Sequence, residues 1–237
     1  MRQPDRIISC ANILGEGPVW DALGGRLLWT DIQSRQLNLF NPASGRHDVL
    51  PMPERLCAFA LIDGDNERLL AAFETGFGVL DLRDQSVRWL SRPELGGTGR
   101  RFNDGRVDRQ GRFWCGTMVE NADVAGENTA QLWRVGLDGA ISAQRSGIAI
   151  SNGACFSPDG RTMYFADSPR QLMLAMDLCS ETGDILRERV FAKVTDGYPD
   201  GATVDAEGCV WSARWGAGVV VRHAPDGRVI DTLSLPV

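Results

Sequence analysis

A unit of 42 to 49 residues recurs five times in this chain, and a repeat of that size restricts the fold more than any other feature. Each unit opens with a short strand ending in an Asp- or Ser-led turn. The five examples are Pro18-Val19-Trp20-Asp21, Ala60-Leu61-Ile62-Asp63, Arg106-Val107-Asp108, Cys155-Phe156-Ser157 and Thr203-Val204-Asp205. A second strand follows, centred on a large apolar residue: Trp29, Leu70, Trp114, Tyr164 or Trp211. The third part is a strand such as Gln36-Leu37-Asn38-Leu39-Phe40 or Gln131-Leu132-Trp133-Arg134-Val135, closed by a Gly-containing turn. No long stretch keeps a helical period, so the chain reads as all-β. Three or four short strands cannot bury both faces of their own sheet, and radial stacking of such units gives a β-propeller. The expectation is a single propeller domain with repeats near 6–50, 51–95, 96–143, 144–192 and 193–237.

The repeat supplies a register. Counting back five from each turn residue lands on Glu16, Ala58, Asn103, Asn152 and Asp200, and the same residues stand 11 to 13 positions before the apolar landmarks. In a propeller the innermost strand of each blade begins at the channel mouth, so these positions converge near the axis. Four of them end in oxygen, with no sulfur or imidazole among them. That donor set suits a hard divalent cation with room left for water or substrate. Taken singly, Ser151-Asn152-Gly153 and Pro199-Asp200-Gly201 are ordinary turn sequences. The shared register is what turns the set into a candidate metal site.

Composition excludes several function classes. Lys and Arg number 25 against 31 Asp and Glu, a net charge of −6 without long runs of one sign, which argues against a nucleic-acid binder. No run approaches the ~18 apolar residues of a membrane helix. The segment Ile7-Ile8-Ser9-Cys10-Ala11 is too short for the apolar core of a signal peptide, so a cytoplasmic protein is expected. The six cysteines form no CxxC pair and read as free, mostly buried thiols. His47 and His223, the only histidines, both lie beside turn-like segments, which disfavours a Ser-His-Asp or Cys-His mechanism.

Two further features have alternative readings. Arg101 is either half of a surface pair with Arg100 or a guanidinium at the channel mouth, able to grip hydroxyls or a developing anion. The polar segment 118–128 is either a wall of the site or merely a long loop. Trp29, Trp114 and Trp211 read as packing between blades.

Five strings carry a resemblance across essentially the whole chain: Gly15-Glu16-Gly17-Pro18-Val19-Trp20, Arg101-Phe102-Asn103-Asp104-Gly105-Arg106-Val107-Asp108, Gly116-Thr117-Met118, Ile150-Ser151-Asn152-Gly153 and Pro199-Asp200-Gly201. In this order they resemble the senescence-marker/gluconolactonase family, which includes regucalcin and bacterial sugar lactonases. The resemblance implies a six-bladed propeller with one divalent cation (calcium, zinc, manganese, magnesium or iron) and hydrolysis of a sugar lactone to the aldonic acid. It makes Glu16, Asn152 and Asp200 metal ligands, and Arg101 and Asn103 substrate contacts, with Asn103 also close to the metal. It adds an acidic substrate contact after Gly116-Thr117-Met118, at a position that is Asn121 here, with Glu120 immediately before it. Only five repeats are visible, so most of a sixth blade is missing and the ring is expected to be open or to close with five blades. An open ring would expose an edge for association.

The mechanism expected on this reading is metal-assisted ester hydrolysis, with Asp200 as general base and Arg101 and Asn103 orienting sugar hydroxyls. Phosphotriester or aryl-lactone hydrolysis on the same kind of site, and a non-catalytic calcium-binding or interaction propeller, are the two rival readings.

Overall fold

The computed structural model describes residues 4–94 and 96–235 and consists of five four-stranded antiparallel sheets. Each sheet is a simple meander in which sequence neighbours pair. The first contains β1 (Gly15–Asp21), β2 (Arg26–Asp31), β3 (Gln36–Asn41) and β4 (Arg46–Pro51). The second contains β5 (Leu56–Ile62), β6 (Asp65–Phe73), β7 (Phe77–Asp81) and β8 (Val87–Ser91). The third contains β9 (Arg100–Val107), β10 (Phe113–Val119), β11 (Ala130–Val135) and β12 (Ile141–Ile148), with the one-turn helix α1 (Ala122–Ala125) between β10 and β11. The fourth contains β13 (Ser151–Phe156), β14 (Thr162–Asp167), β15 (Leu172–Leu178) and β16 (Ile185–Lys193). The fifth contains β17 (Tyr198–Val204), β18 (Val210–Trp215), β19 (Val219–His223) and β20 (Val229–Ser234). The third sheet runs five residues past 143, because β12 continues to Ile148 before β13 begins at Ser151. Residues 1–3, 236 and 237, on which parts of the N- and C-terminal readings fall, lie outside the described residues.

The Asp-led turns that mark the repeat have a physical role. The Asp108 carboxylate accepts hydrogen bonds from the backbone N–H groups of Gln110 (3.0 Å) and Arg112 (2.9 Å), and from the Trp114 indole Nε1 (3.0 Å). Asp205 repeats the pattern with the N–H groups of Glu207 (3.0 Å) and Cys209 (2.9 Å) and with Trp211 Nε1 (2.9 Å). Each carboxylate closes a hairpin turn and ties it to the apolar landmark of the next strand. Gly111 (φ 93°) and Gly208 (φ 80°) occupy the left-handed position of these turns, where a side chain would be strained. In the first blade the partner changes, and the Trp29 indole donates to Asn12 Oδ1 at 2.8 Å.

The hydrophobic core is divided among the blade interfaces, as a propeller requires. Leu28, Leu37, Leu56, Phe59 and Leu69 pack the first blade on the second; Phe77, Phe102 and Phe113 the second on the third; Trp114, Leu132, Phe156 and Phe165 the third on the fourth; Tyr164, Met173, Ala202 and Val210 the fourth on the fifth. Four cores thus join five blades in series, and among the described residues none joins the fifth to the first, so the ring is open.

Every inner strand is bulged against its neighbour at the level of the predicted site. In the first blade the register jumps between Glu16 and Val19, in the fourth between Asn152 and Cys155, and in the fifth between Pro199 and Ala202. In the third it jumps opposite Cys115–Thr117, leaving Asn103 and Asp104 facing Gly116. The Gly-flanked strings that look like turns in sequence are therefore bulges inside strands. A bulge places two residues against one and re-aims their side chains, which is how successive polar residues come to face the axis. Gly17 (φ 59°) and Gly153 (φ 65°) supply the backbone conformation that two of these bulges need.

Free thiols are observed as expected: Cys57, Cys115, Cys155 and Cys209 are buried, Cys179 is half-buried and Cys10 exposed. No helix among the described residues is long and apolar enough to cross a membrane.

Candidate functional site at the propeller axis

The starts of β1, β9, β13 and β17 meet in one cavity of about 460 Å³. Glu16, Arg101, Asn103, Asn152 and Asp200 all line it, together with Ser168 and an apolar wall that includes Met118, Ile150, Tyr198 and Trp215. Five of the predicted site residues are thus brought together from four blades. Ala58, the register position without an oxygen, is buried in the core between the second and third blades. A second, very small cavity shares Glu16, Asn103 and Asn152 with the first and adds Asp104.

The hydrogen bonds at this site form a chain whose direction is fixed from both ends. Arg101 has only donors, so the Asn103 atom 2.8 Å from its Nη1 is the carbonyl oxygen. Asn103 Nδ2 then donates to Ser151 O (2.9 Å) and Asn152 Oδ1 (3.0 Å). Asn152 Nδ2 donates to Ser168 Oγ (2.9 Å), whose own hydroxyl donates to Pro199 O (2.7 Å). The terminal carbonyl can only accept, which confirms the orientation of both amides. Asn103 therefore holds Asn152 with its nitrogen while its oxygen is taken by Arg101. Asn152 lines the same cavity as Glu16 and Asp200, and its Oδ1 keeps a second lone pair beyond the one given to Asn103.

Electrostatics set the rest. The Glu16 carboxyl is pushed up to about 8, first by desolvation and then by repulsion from Asp200 and Asp104, with Arg101 opposing. Asp200 is raised to about 6 by desolvation and by Asp104, against a hydrogen bond from the Gly201 N–H. Asp104 is raised by desolvation as well, although Arg106 and the backbone N–H groups of Ala154, Gly105 and Gly153 stabilise its anion. Three carboxylates thus share an enclosed region with too little positive charge around them. Of these, Glu16 and Asp200 line the axial cavity with Asn152, and carboxylates with an amide oxygen are the donor type that suits a hard divalent cation. Glu16, Asp200 and Asn152 are the residues that would hold it.

Asp104 is a site residue that the register did not single out, since it stands one position after the repeat-equivalent Asn103. Its Oδ2 accepts from the Ala154 N–H at 3.0 Å, bracing the fourth blade's bulge from the third. Trp215 is another, following Arg214 at the end of β18. It is 64% exposed and stacks obliquely against Tyr198, with ring centroids 5.8 Å apart. Trp114 packs the third blade on the fourth as expected, whereas Trp29, although buried, stacks on His47 of its own blade, and Trp211 is half-buried beneath the Arg222 guanidinium.

Glu120 and Asn121 are placed differently from the other candidates. Neither lines the axial cavity; both face a neighbouring one of about 410 Å³ between the second and third blades. Asn121 caps α1, its Oδ1 accepting from the Asp123 N–H at 3.1 Å. Glu120 is occupied by arginines, accepting from Arg55 Nη1 (2.6 Å), Arg55 Nη2 (2.8 Å) and Arg101 Nε (3.1 Å). Capping and ion pairing, which depend on the fold, claim both side chains.

The motif residues around the site also have reasons. A Cβ on Gly116 would stand 1.7 Å from Ser151 Oγ, so the Gly116-Thr117-Met118 string is what lets Ser151 and Asn152 approach the third blade. Neither histidine reaches the cavity: His47 bonds Asn38 Oδ1 (2.9 Å) and His223 bonds Arg214 Nη2 (2.8 Å). The cluster Asp205, Glu207 and Cys209 is committed elsewhere, its carboxylates bound to Arg222, Trp211 and the turn N–H groups.

A propeller with these five strings at its axis has known counterparts. Residues 14–237 match the SMP-30/Gluconolactonase/LRE-like region. The chain belongs to this family. It is 36% identical to the 6-deoxy-6-sulfogluconolactonase of Pseudomonas putida over 97% of its own length and 78% of that protein's. It is 37% identical to the L-arabinolactonase of Azospirillum brasilense, over 95% of this chain and 75% of that one. Among solved structures, the calcium-binding protein regucalcin from Agrobacterium tumefaciens superposes with a TM-score of 0.88 at 34% identity, covering 95% of this chain and 75% of that chain. These relatives thus extend beyond the stretch that aligns with the five blades.

Proposed function

We propose that this protein hydrolyses a sugar lactone to its aldonic acid with the help of a divalent cation. The observation that carries the reading is the meeting of Glu16, Asn152 and Asp200 with Arg101 and Asn103 in one cavity. Relatives named as lactonases of a six-carbon sulfonated sugar and of arabinose support it. The cavity is of the size that accepts a small molecule.

When bound, the cation would polarise the ester carbonyl and offset the charge that develops on its oxygen. The protein's own groups do the remaining work. Asp200, with a carboxyl raised to about 6, is ionised at neutral pH yet basic enough to take a proton from the attacking water at a carboxylate oxygen. Arg101 is buried and uses Nε and Nη1 on Glu120, Asn103 and Phe102 O, which leaves Nη2 outside these bonds to meet a sugar hydroxyl. Asn103 orients Asn152 as well as standing in the cavity. The apolar wall of Met118, Ile150, Tyr198 and Trp215 packs against the C–H faces of the ring and displaces water around the reacting carbonyl. The all-oxygen donors favour calcium, magnesium or manganese over thiolate-seeking ions. The absence of paired cysteines among the described residues agrees with a reducing, cytoplasmic setting.

The test is acid release from five- and six-carbon aldonolactones by protein stripped with chelator and then resupplied with single divalent ions. Metal-restored turnover that disappears in Asp200→Asn is expected. Tight metal binding without turnover of any lactone would favour a purely metal-binding propeller.

A further inference from the structure

The cavity of about 410 Å³ between the second and third blades owes part of its wall to an ion-pair network outside the proposed reaction. Arg55 stands one residue before β5 and Glu74 one residue after β6, so they meet at the same end of the second blade. Glu74 N–H donates to Arg55 O (2.8 Å), and the Glu74 carboxylate accepts from Arg55 N–H (3.3 Å) and Arg55 Nε (2.6 Å). Arg55 is thereby held at both its backbone and the root of its guanidinium. Its two terminal nitrogens take both oxygens of Glu120, 65 residues away on the third blade. This fork-to-fork geometry fixes the plane and position of the carboxylate as a single ammonium could not. The Glu120 side chain is itself 36% exposed, so without Arg55 it would be a partly solvated carboxylate held by the single Arg101 Nε contact.

What Glu120 holds in turn is Arg101, through Oε1 and Nε at 3.1 Å. Arg101 is the cation of the axial cavity, and its Nη1 is committed to Phe102 O and Asn103 Oδ1. With Nε bonded on one side and Nη1 on the other, the guanidinium plane has one orientation, and Nη2 has one direction. We propose that Arg55 is a positioning residue for the lactone site, acting through Glu120 to fix the direction in which Arg101 presents its remaining N–H groups to the substrate. For its kinetic consequence the inference rests on the lactonase reading above.

A role confined to joining the second and third blades would look different in experiment. The variants are Arg55→Met, which keeps the stem and removes the fork, and Arg55→Lys, which keeps the charge without the fork. Full-length protein loaded with the activating metal is assayed for lactone hydrolysis. Solvent exchange of the Arg101 Nε–H is followed by NMR, its signal assigned by its loss in Arg101→Lys. Arg55→Met is expected to raise KM by about tenfold, the worth of one weakened charge-assisted hydrogen bond, with kcat within about threefold. Arg101 Nε–H exchange is expected to quicken by about tenfold or more as its acceptor loses its anchor. Metal affinity should be unchanged, and Arg55→Lys should recover only part of the loss. A protected Arg101 Nε–H and an unaltered KM in a folded Arg55→Met protein, with only a lower Tm, would overturn the inference. If the wild type hydrolysed no lactone the functional reading would fail, and the exchange measurement would still decide whether Arg55 positions Arg101.

Discussion

Glu16 makes the metal-free protein sensitive to pH in a direction that can be worked out in advance. Its carboxyl titrates at about 8 in the folded protein against 4.5 for an unperturbed glutamate, because it is desolvated and faces Asp200 and Asp104. Below pH 4.5 the group is protonated in both folded and unfolded chains and contributes no difference. Between 4.5 and 8 the unfolded chain ionises while the folded chain keeps its proton, so stability falls as pH rises, and the fall levels off above 8. The slope is about 1.4 kcal/mol per pH unit, so the window from about pH 6.5 to 8 costs about 2 kcal/mol. For a chain of this size that is about 4–8 °C in Tm. His223 works in the opposite sense below pH 6.5, since desolvation holds its pKa under that value and charging it disfavours the folded state. The comparison with Glu16→Gln removes this background. Differential scanning calorimetry of chelator-treated protein should show the wild type losing Tm across the window relative to Glu16→Gln, with the variant the more stable of the two at pH 8. Metal at a hundred times its Kd should return about 2.7 kcal/mol to the wild type. Parallel Tm profiles for the two proteins from about pH 6.5 to 8 would refute the claim that Glu16 carries an uncompensated burial cost.

Other consequences follow from named contacts. Asp108→Ala strips the buried Arg112 guanidinium of its 2.6 Å partner and the Trp114 indole of its acceptor, so denaturant titration should show a loss of about 3–5 kcal/mol. Gly116→Ala drives a methyl into Ser151, and a loss of about 1–3 kcal/mol is expected with weakened metal binding, because Asn152 follows Ser151; Ser151→Gly in the same chain should relieve much of it. Glu120→Gln keeps the shape but weakens both arginine contacts, and should raise KM for the lactone far more than it lowers kcat, as steady-state kinetics would show. Trp215→Ala opens the apolar wall beside Asp200 and should lower affinity for the lactone while leaving calorimetric metal binding intact.

The sequence by itself determined the fold class, the repeat and which polar residues meet at the axis. A 42- to 49-residue period with Asp-led turns and large apolar landmarks is local information, and the turn carboxylates of Asp108 and Asp205 bind residues no more than six positions away, apart from the Arg222 contact. Glu16, Asn103, Asn152 and Asp200 could be found because a propeller maps one repeat position onto one place near the axis. The count of repeats left two expectations, an open ring or closure with five blades, and only the packing between blades separates them. What the chain does at those positions was not local. The Gly-flanked strings read as turns until strand pairing made them bulges, since only the partner strand's register distinguishes a turn from an extra residue in a ladder. Asp104 went unassigned because its partner, the Ala154 N–H, is 50 residues away. Glu120 and Asn121 were placed by resemblance at the substrate, whereas the fold gives one to Arg55, 65 residues distant, and the other to a helix cap. Side-chain identity sets which charges a chain can bring to its axis; only the tertiary structure decides which of them are already neutralised by a neighbour and which remain for a cation and a substrate.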